Sequence, residues 1–234
     1  MMHFEEIRVI FTIYLSALLP ILILFFLRKD IRNWVLKYFF VMLLICIFGW
    51  ELWFTYGLLG GDEVNFRRSE FLNFWIPQDI NWLLNSLADA GTVCLGGLLL
   101  IWLIYGKSQT IFLSWQWGPF LVYYSWCLLQ NIYVELFVYH DQLALEKELS
   151  WAPLSPGGNF FNPILFQWDK KSLLLQTQMP WILLGPIAYS LAIKFAKKNK
   201  FKNLFLKMFS LHRSKWCLFE SGQQQILLQI KYCR

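Results

Sequence analysis

Three carboxylates fall inside otherwise apolar stretches of the chain: Glu51, Asp89 and Glu135. A charged side chain in the middle of a membrane helix costs about 2.5 to 3.5 kcal/mol on the insertion scale, so each of the three needs an interior partner or a purpose. Their neighbours are polar too. Asn81, Asn85 and Asp89 recur at i, i+4, i+8, and so do Asn131, Glu135 and Tyr139, so each set lines one face of a helix. Away from water a carboxyl favours its neutral form, and a second carboxyl nearby favours it further. A neutral acid in an apolar site donates a hydrogen bond and is a usable proton source. That makes Glu51, Asp89 and Glu135 the candidate catalytic residues, with Asn81, Asn85, Asn131, Tyr139 and His140 as candidate ligand-binding residues around them.

His140 is the natural relay type between outer water and Glu135. Five residues along a helix the two are about 140° out of phase, so a direct contact is not expected. The other reading of the whole cluster is structural: buried Asn, Asp and Glu also serve as interhelical hydrogen bonds, worth about 0.5 to 1 kcal/mol each in a membrane.

Other chemistries lack their residues. No Glu-x-x-His pair supplies a di-metal carboxylate site, and no CxxC or Cys-His cluster supplies a zinc site, so no metal and no cofactor is expected. Phosphate-cradling glycine loops, nucleophile elbows, lipidation boxes and Asn-x-Ser/Thr acceptors are absent from the sequence.

The elements that must hold these residues are long and apolar. Of 234 residues, 57% are hydrophobic, 19% aromatic and only 15% charged, against about 25% charged in soluble domains. Mean hydropathy is +0.44. Apolar runs extend over Val9 to Leu27, Tyr38 to Tyr56, Ile80 to Tyr105, Ile111 to Tyr139 and Ser172 to Ile193, each near the length that crosses about 30 Å of hydrocarbon. The last contains Pro180, Gly185 and Pro186 and reads as a kinked helix whose freed carbonyls must find partners in the bundle. The fold expected is therefore all-α, a polytopic transmembrane helical bundle of about five spans. Residues 1–200 form the membrane domain and 201–234 a basic tail.

Basic residues set the direction. Arg28, Lys29, Arg32, Lys37, Lys107, Lys194, Lys197, Lys198 and the tail fall on one side, facing an opposite side rich in acids such as Glu5, Glu6, Asp62, Glu70, Asp141 and Glu148. The amino terminus is expected outside and the carboxyl terminus in the cytoplasm of a cell or inner membrane. Acidic residues before the first span, with no cleavage site after it, argue against a removed signal peptide. With that orientation Glu51 lies on the order of 10 Å below the outer surface, Asp89 roughly 14 Å and Glu135 roughly 6 Å, at 1.5 Å per residue. Agreement in depth across three helices points to one shared outer chamber. Ala88, Thr92 and Gly96 form a small-residue row suited to close helix approach, and Gln130, Gln176 and Gln178 are possible further walls. Cys46, Cys94 and Cys127 lie in spans and Cys217 and Cys233 in the tail, so no disulfide is expected.

Two outer loops, 60–79 and 141–171, are long for a helical bundle and carry Phe66, Phe71, Phe74, Trp75, Trp151, Phe160, Phe161, Phe166 and Trp168, which suit a headgroup belt or a lid. Pro153, Pro156, Gly157, Gly158 and Pro163 set turns in the second. In the tail, Phe201, Leu204, Phe205 and Met208 recur at helical spacing with Lys200, Lys202 and Lys207 off the stripe, as in a helix lying on anionic headgroups. The pI near 9.0 follows from topology and tail, so nucleic acid is not an expected partner; membrane lipids are.

Three functions stay open: acid–base chemistry on, or binding of, a lipid or isoprenoid-like molecule; a non-catalytic accessory or assembly subunit of a membrane complex; and a proton-coupled transporter. Transport needs a route to both faces, and the inner halves of the spans are almost purely apolar.

Overall fold

The computed structural model describes residues 4–29, 31–58, 61–106, 108, 110–149 and 158–199. Asp30, Lys107, the loop residues Trp151, Pro153, Pro156 and Gly157, and the tail with its stripe from Lys200 to Met208, Cys217, Glu220 and Cys233 lie outside the described residues. What is described is helical apart from turns and one small hairpin.

Helix α1, Phe4–Phe26, buries Val9, Ile13 and Ala17 at four-residue spacing and leaves Phe11, Leu15, Leu18 and Leu22 exposed, so one side is packed and the other is exposed and apolar. Helix α2, Asn33–Phe48, buries Trp34, Tyr38, Met42 and Cys46 in the same rhythm. The second expected span does not run straight to Tyr56. It breaks at Gly49 and resumes as α3, Trp50–Tyr56, bent by 41°. Gly49 leaves helical geometry, and a Cβ there would lie 2.5 Å from the Ile45 carbonyl oxygen, so the break is built around the missing side chain.

The first long loop folds into two short helices, α4, Val64–Arg67, and α5, Glu70–Trp75. Ser69 caps α5 by accepting from Leu72 N at 3.3 Å, and its hydroxyl donates to Glu6 Oε1 at 2.6 Å, which ties the loop to the start of α1. Helix α6 runs from Gln78 to Ile104 and widens into π-helical geometry over Asp89–Leu95. Helix α7, Trp117–Val134, starts six residues later than the run beginning at Ile111, because Gln116 is extended and Thr110–Leu113 forms a separate 3-10 turn. It continues as a π turn, Glu135–Tyr139, and a 3-10 turn, His140–Gln142. Helix α8, Leu175–Asn199, begins after Ser172, which belongs to a hairpin the sequence pattern did not indicate.

That hairpin pairs β1, Ile164–Trp168, antiparallel with β2, Lys171–Leu174, around Asp169 at φ 53. Asp tolerates this left-handed geometry better than most residues. Arg68 and Leu143 form an isolated β-bridge, and Ala144 N donates to Arg67 O at 2.7 Å, so the two long loops meet.

Three helices, α1, α6 and α8, are long and apolar enough to cross a membrane, and the bent pair α2–α3 makes a fourth if it counts as one span. Helix α7 is less apolar, since Tyr123, Tyr124, Gln130 and Asn131 interrupt it.

Prolines and glycines mesh between helices. Pro20 cannot donate to Ser16 O, and that carbonyl accepts from Thr92 Oγ1 at 2.7 Å, while a Cβ on the adjacent Gly91 would lie 2.5 Å from Pro20 Cβ. Pro186 likewise frees Ile182 O, which accepts from Tyr124 Oη at 3.4 Å, and Gly185 makes room for the Tyr124 ring. Both freed carbonyls are satisfied from a neighbouring helix.

Candidate functional site

The polar stripe of α6 faces α3 and the first loop. Asp89 Oδ2 accepts from Trp50 Nε1 at 2.9 Å. Glu51, one residue on in α3, is 1% exposed and adjoins Asn85 and Asp89. The break at Gly49 is what turns Trp50 and Glu51 toward α6.

Arg67 completes this group. It is 2% exposed, donates from Nη2 to Phe54 O, and stacks its guanidinium 4.7 Å from the centroid of the Phe54 ring. Burial pushes its pKa down to about 10, opposed by the charges of Asp62 and Glu51 and by Tyr139, so it stays cationic at neutral pH. Glu51 thus has this guanidinium as a nearby countercharge, shared with Asp62.

Several buried polar atoms in this zone lack a hydrogen-bond partner: Glu51 Oε2, Thr55 Oγ1, Arg67 Nε, Asn81 Nδ2 and Asn85 Nδ2. Orphaned donors and acceptors gathered on one helix interface mark a place where internal water is at home. A cavity of about 20 Å³ adjoins Asp89 and is lined by Trp50, Phe54, Asn131, Tyr139 and Trp181 among others, none of them a residue with one of these orphaned atoms. That volume is room for about one water molecule.

The other expected residues take separate stations. Asn81 Oδ1 accepts from Arg68 Nη1 at 3.0 Å, and Arg68 also donates to Asn73 Oδ1 and Ile76 O, which fixes the first loop to α6. Burial pushes Arg68 down to about 10 as well, with Arg67 adding to the effect. Asn131 Nδ2 donates to Thr177 O and Gln178 Oε1, both at 2.9 Å.

Glu135 Oε1 accepts from Leu174 N at 2.8 Å, and its Oε2 accepts from Thr177 Oγ1 and Gln178 Nε2. It therefore sits as an acceptor at the amino-terminal end of α8, receiving the N–H of the residue that precedes the helix and the side chains of two residues in its first turn. Tyr139 lies between the two groups, with its ring centroid 4.2 Å from that of Phe54 and within electrostatic reach of Glu51, Asp89, Glu135 and Arg67.

His140 turns to the hairpin: its Nε2 lies 2.7 Å from Ser172 O and 3.1 Å from Ser172 N. Burial lowers its pKa, with Lys171 acting the same way and Ser172 and Asp141 against it. Of the glutamines, Gln178 and Gln130 reach the cluster, while Gln176 bonds Asn162 and Phe161.

The side chains missed from sequence are Arg67 and Arg68. A dibasic pair in a loop reads as solvated, yet it stands among acids and aromatics on the side that is otherwise poor in base, and that contrast was the available signal. Among the described residues no group of three His, Cys, Asp or Glu side chains is placed to hold a metal ion. No family model, curated protein or solved structure matches the chain.

Proposed function

We propose that the protein is a five-span integral membrane protein, amino terminus outside, whose buried pair Glu51 and Asp89 takes up and releases a proton as an acid–base site opening toward the outer side. The observation that carries this is the company Glu51 keeps: a fully buried carboxyl whose Oε2 has no hydrogen-bond partner, a second carboxyl beside it, and the Arg67 guanidinium, itself shared with Asp62, as countercharge. One proton on the pair relieves the excess negative charge.

The span count is supported by α7. Gly118, at its start, packs on Tyr105 at the end of α6, and Gly97 faces Tyr123 midway. Asp141, just past its end, pairs with Arg8 near the start of α1. So α7 runs antiparallel to α6 over nearly its whole length, and if α6 spans, α7 does too.

The three acids of the sequence reading divide into two roles. Glu135 accepts from three donors at the start of α8, leaving Glu51 and Asp89 as the acid–base pair, with Arg67 as countercharge and Tyr139 and Asn131 at the cavity wall. A cavity of about 20 Å³ admits water and excludes an isoprenoid, which favours proton exchange over chemistry on a bulky substrate at this point.

Infrared spectroscopy of the protein in bilayers tests this through the carbonyl band of a neutral carboxylic acid at neutral pH. The band is expected in the wild type and in Glu135→Gln, and lost in Glu51→Gln or Asp89→Asn. Its persistence in both of the latter, or its absence from the wild type, rejects the reading. Glu135→Ala is expected to destabilise by about 2 kcal/mol, as buried donors lose their acceptor, read as a lower melting temperature in detergent.

A second reading, an accessory subunit of a membrane complex, is favoured by β1: Ile164, Leu165, Phe166 and Trp168 are all more than half exposed. An apolar strand exposed on both faces suits a protein partner. A stoichiometric partner that co-purifies with the wild type and is lost on Phe166→Ser would support it.

A further inference from the structure

A second, larger cavity lies away from the acids, on the opposite face of the π-helical stretch of α6. It is an open groove of about 510 Å³ between α1, α2 and α6, within the usual range for ligand pockets. It is lined by Leu19 and Ile23 of α1 and Leu27 just past its end, Val35 of α2, and Leu95 and Leu99 of α6, with Gly91, Pro20 and the rings of Trp102, Phe112 and Trp126 completing the lining.

Two polar side chains in the middle of the lining are already engaged. Thr92 Oγ1 donates to Ser16 O, and Trp126 Nε1 donates to Val93 O at 3.1 Å. What remains for a ligand is hydrocarbon contact, so its buried part is apolar.

One lining residue is charged. Arg32 stands at the mouth, exposed, in a connection that also holds Arg28, Lys29 and Lys37 against the single acid Asp30. The Arg28 guanidinium lies over the Phe25 ring. From Leu27 to Leu19 the groove follows α1 for about 12 Å at 1.5 Å per residue. That is less than the half-thickness of a roughly 30 Å hydrocarbon core. A ligand with its polar end at Arg32 therefore draws its chain from one leaflet.

We propose that this groove is a binding site for one anionic phospholipid of the leaflet on the Arg32 side, with an acyl chain along α1 and the phosphate group at Arg32. The chain displaces no protein hydrogen bond, and the headgroup meets a cluster with excess positive charge. The site is independent of the Glu51 and Asp89 pair, which faces the other side of α6.

The test is mass spectrometry of lipid retained by the full-length protein after transfer from nanodiscs containing phosphatidylcholine and phosphatidylglycerol in equal parts into mild detergent. The wild type is expected to keep one phospholipid, enriched several-fold in phosphatidylglycerol over its share of the bilayer. Arg32→Gln, at an exposed position that folding does not depend on, is expected to keep a lipid without that enrichment. Leu99→Trp, which fills the groove from a half-exposed site, is expected to retain none.

Retention of the two lipids in bilayer proportion by the wild type overturns the anionic headgroup. Enrichment that survives Arg32→Gln overturns the role of that arginine. Absence of any retained lipid overturns the site itself. Because Asp89→Asn lies outside the groove, its retained lipid is expected to match the wild type, so failure here is separable from failure of the proton reading.

Discussion

Glu135 and His140 hold the same short strand from the end of α7, one through Leu174 N and the other through Ser172, and Asp141 adds ion pairs to Lys171 and Arg8. Lys171 also lies 4.8 Å from the Phe137 ring. The hairpin is thus fastened by side chains whose charge state matters. His140 has a lowered pKa, so its neutral form is the one the fold favours. The docking it contributes is fully present above the ordinary value of 6.5 and is lost progressively as pH falls through the folded value below it. Hydrogen exchange at Ser172 and Leu174 is therefore expected to quicken, relative to the intrinsic rate, as pH drops below about 6.5, and this excess is expected to vanish in His140→Gln. Equal acceleration in that variant would place the pH response elsewhere.

At this scale the sequence told where polar residues share a helix face, since periodicity fixes that. It did not tell which of them would be consumed as anchors, because Leu174, Thr177 and Ser172 reach Glu135 and His140 across more than thirty residues of chain.

Helices α1, α6 and α8 coincide closely with apolar runs, because hydropathy over twenty or so residues is a strong signal. The break at Gly49 escaped it, since an apolar run continues unchanged through a bend made by one residue. The hairpin escaped it too: Ile164 to Leu174 is short, and its alternation is blurred by a bulge between Ile164 and Phe166.

Of the small-residue row Ala88, Thr92, Gly96, the first packs on the cluster that holds Val9, Ile13 and Ala17 of α1 and the second bonds Ser16, while Gly96 faces Trp126. The closest approach to α1 is made by Gly91, inside the π-helical stretch, against Pro20. This interlock is testable as a pair. Gly91→Ala places a Cβ 2.5 Å from Pro20 Cβ, backed by a rigid ring, and is expected to destabilise by about 1 to 3 kcal/mol. Pro20→Gly in the same chain removes the obstructing Cβ and Cγ together, and a double-variant cycle in detergent melting is expected to recover most of the loss. Additive losses would mean that the two residues do not press on one another.

For the whole molecule, the distribution of base and the packing of α7 bear on the same question from different sides. The distribution of Lys and Arg predicts that the α1–α2 connection and the end of α8 share one face, while Ser69 with Glu6, Arg8 with Asp141 and Arg68 with Leu143 make contacts at the opposite ends of these helices. Those contacts assemble α1, the first loop and the end of α7 at a single end of the bundle, and α8 starts there too, through Glu135. Helix α7 decides the count, because it is the least apolar of the long helices and the one that brings the chain back to that end. An impermeant maleimide applied to intact cells separates the cases with single cysteines in a chain whose native cysteines are replaced by Ala or Ser. Asp62→Cys and Glu146→Cys are expected to label, and Ser108→Cys and Lys198→Cys only after the membrane is opened. If α7 did not cross, positions 108 and 146 would react alike. Position 62 would then differ from 146, and the two loops joined at Arg68 and Leu143 would lie on opposite sides of the bilayer. The bridge between those loops makes that arrangement impossible for this fold, so labelling of that kind would reject the fold together with the topology.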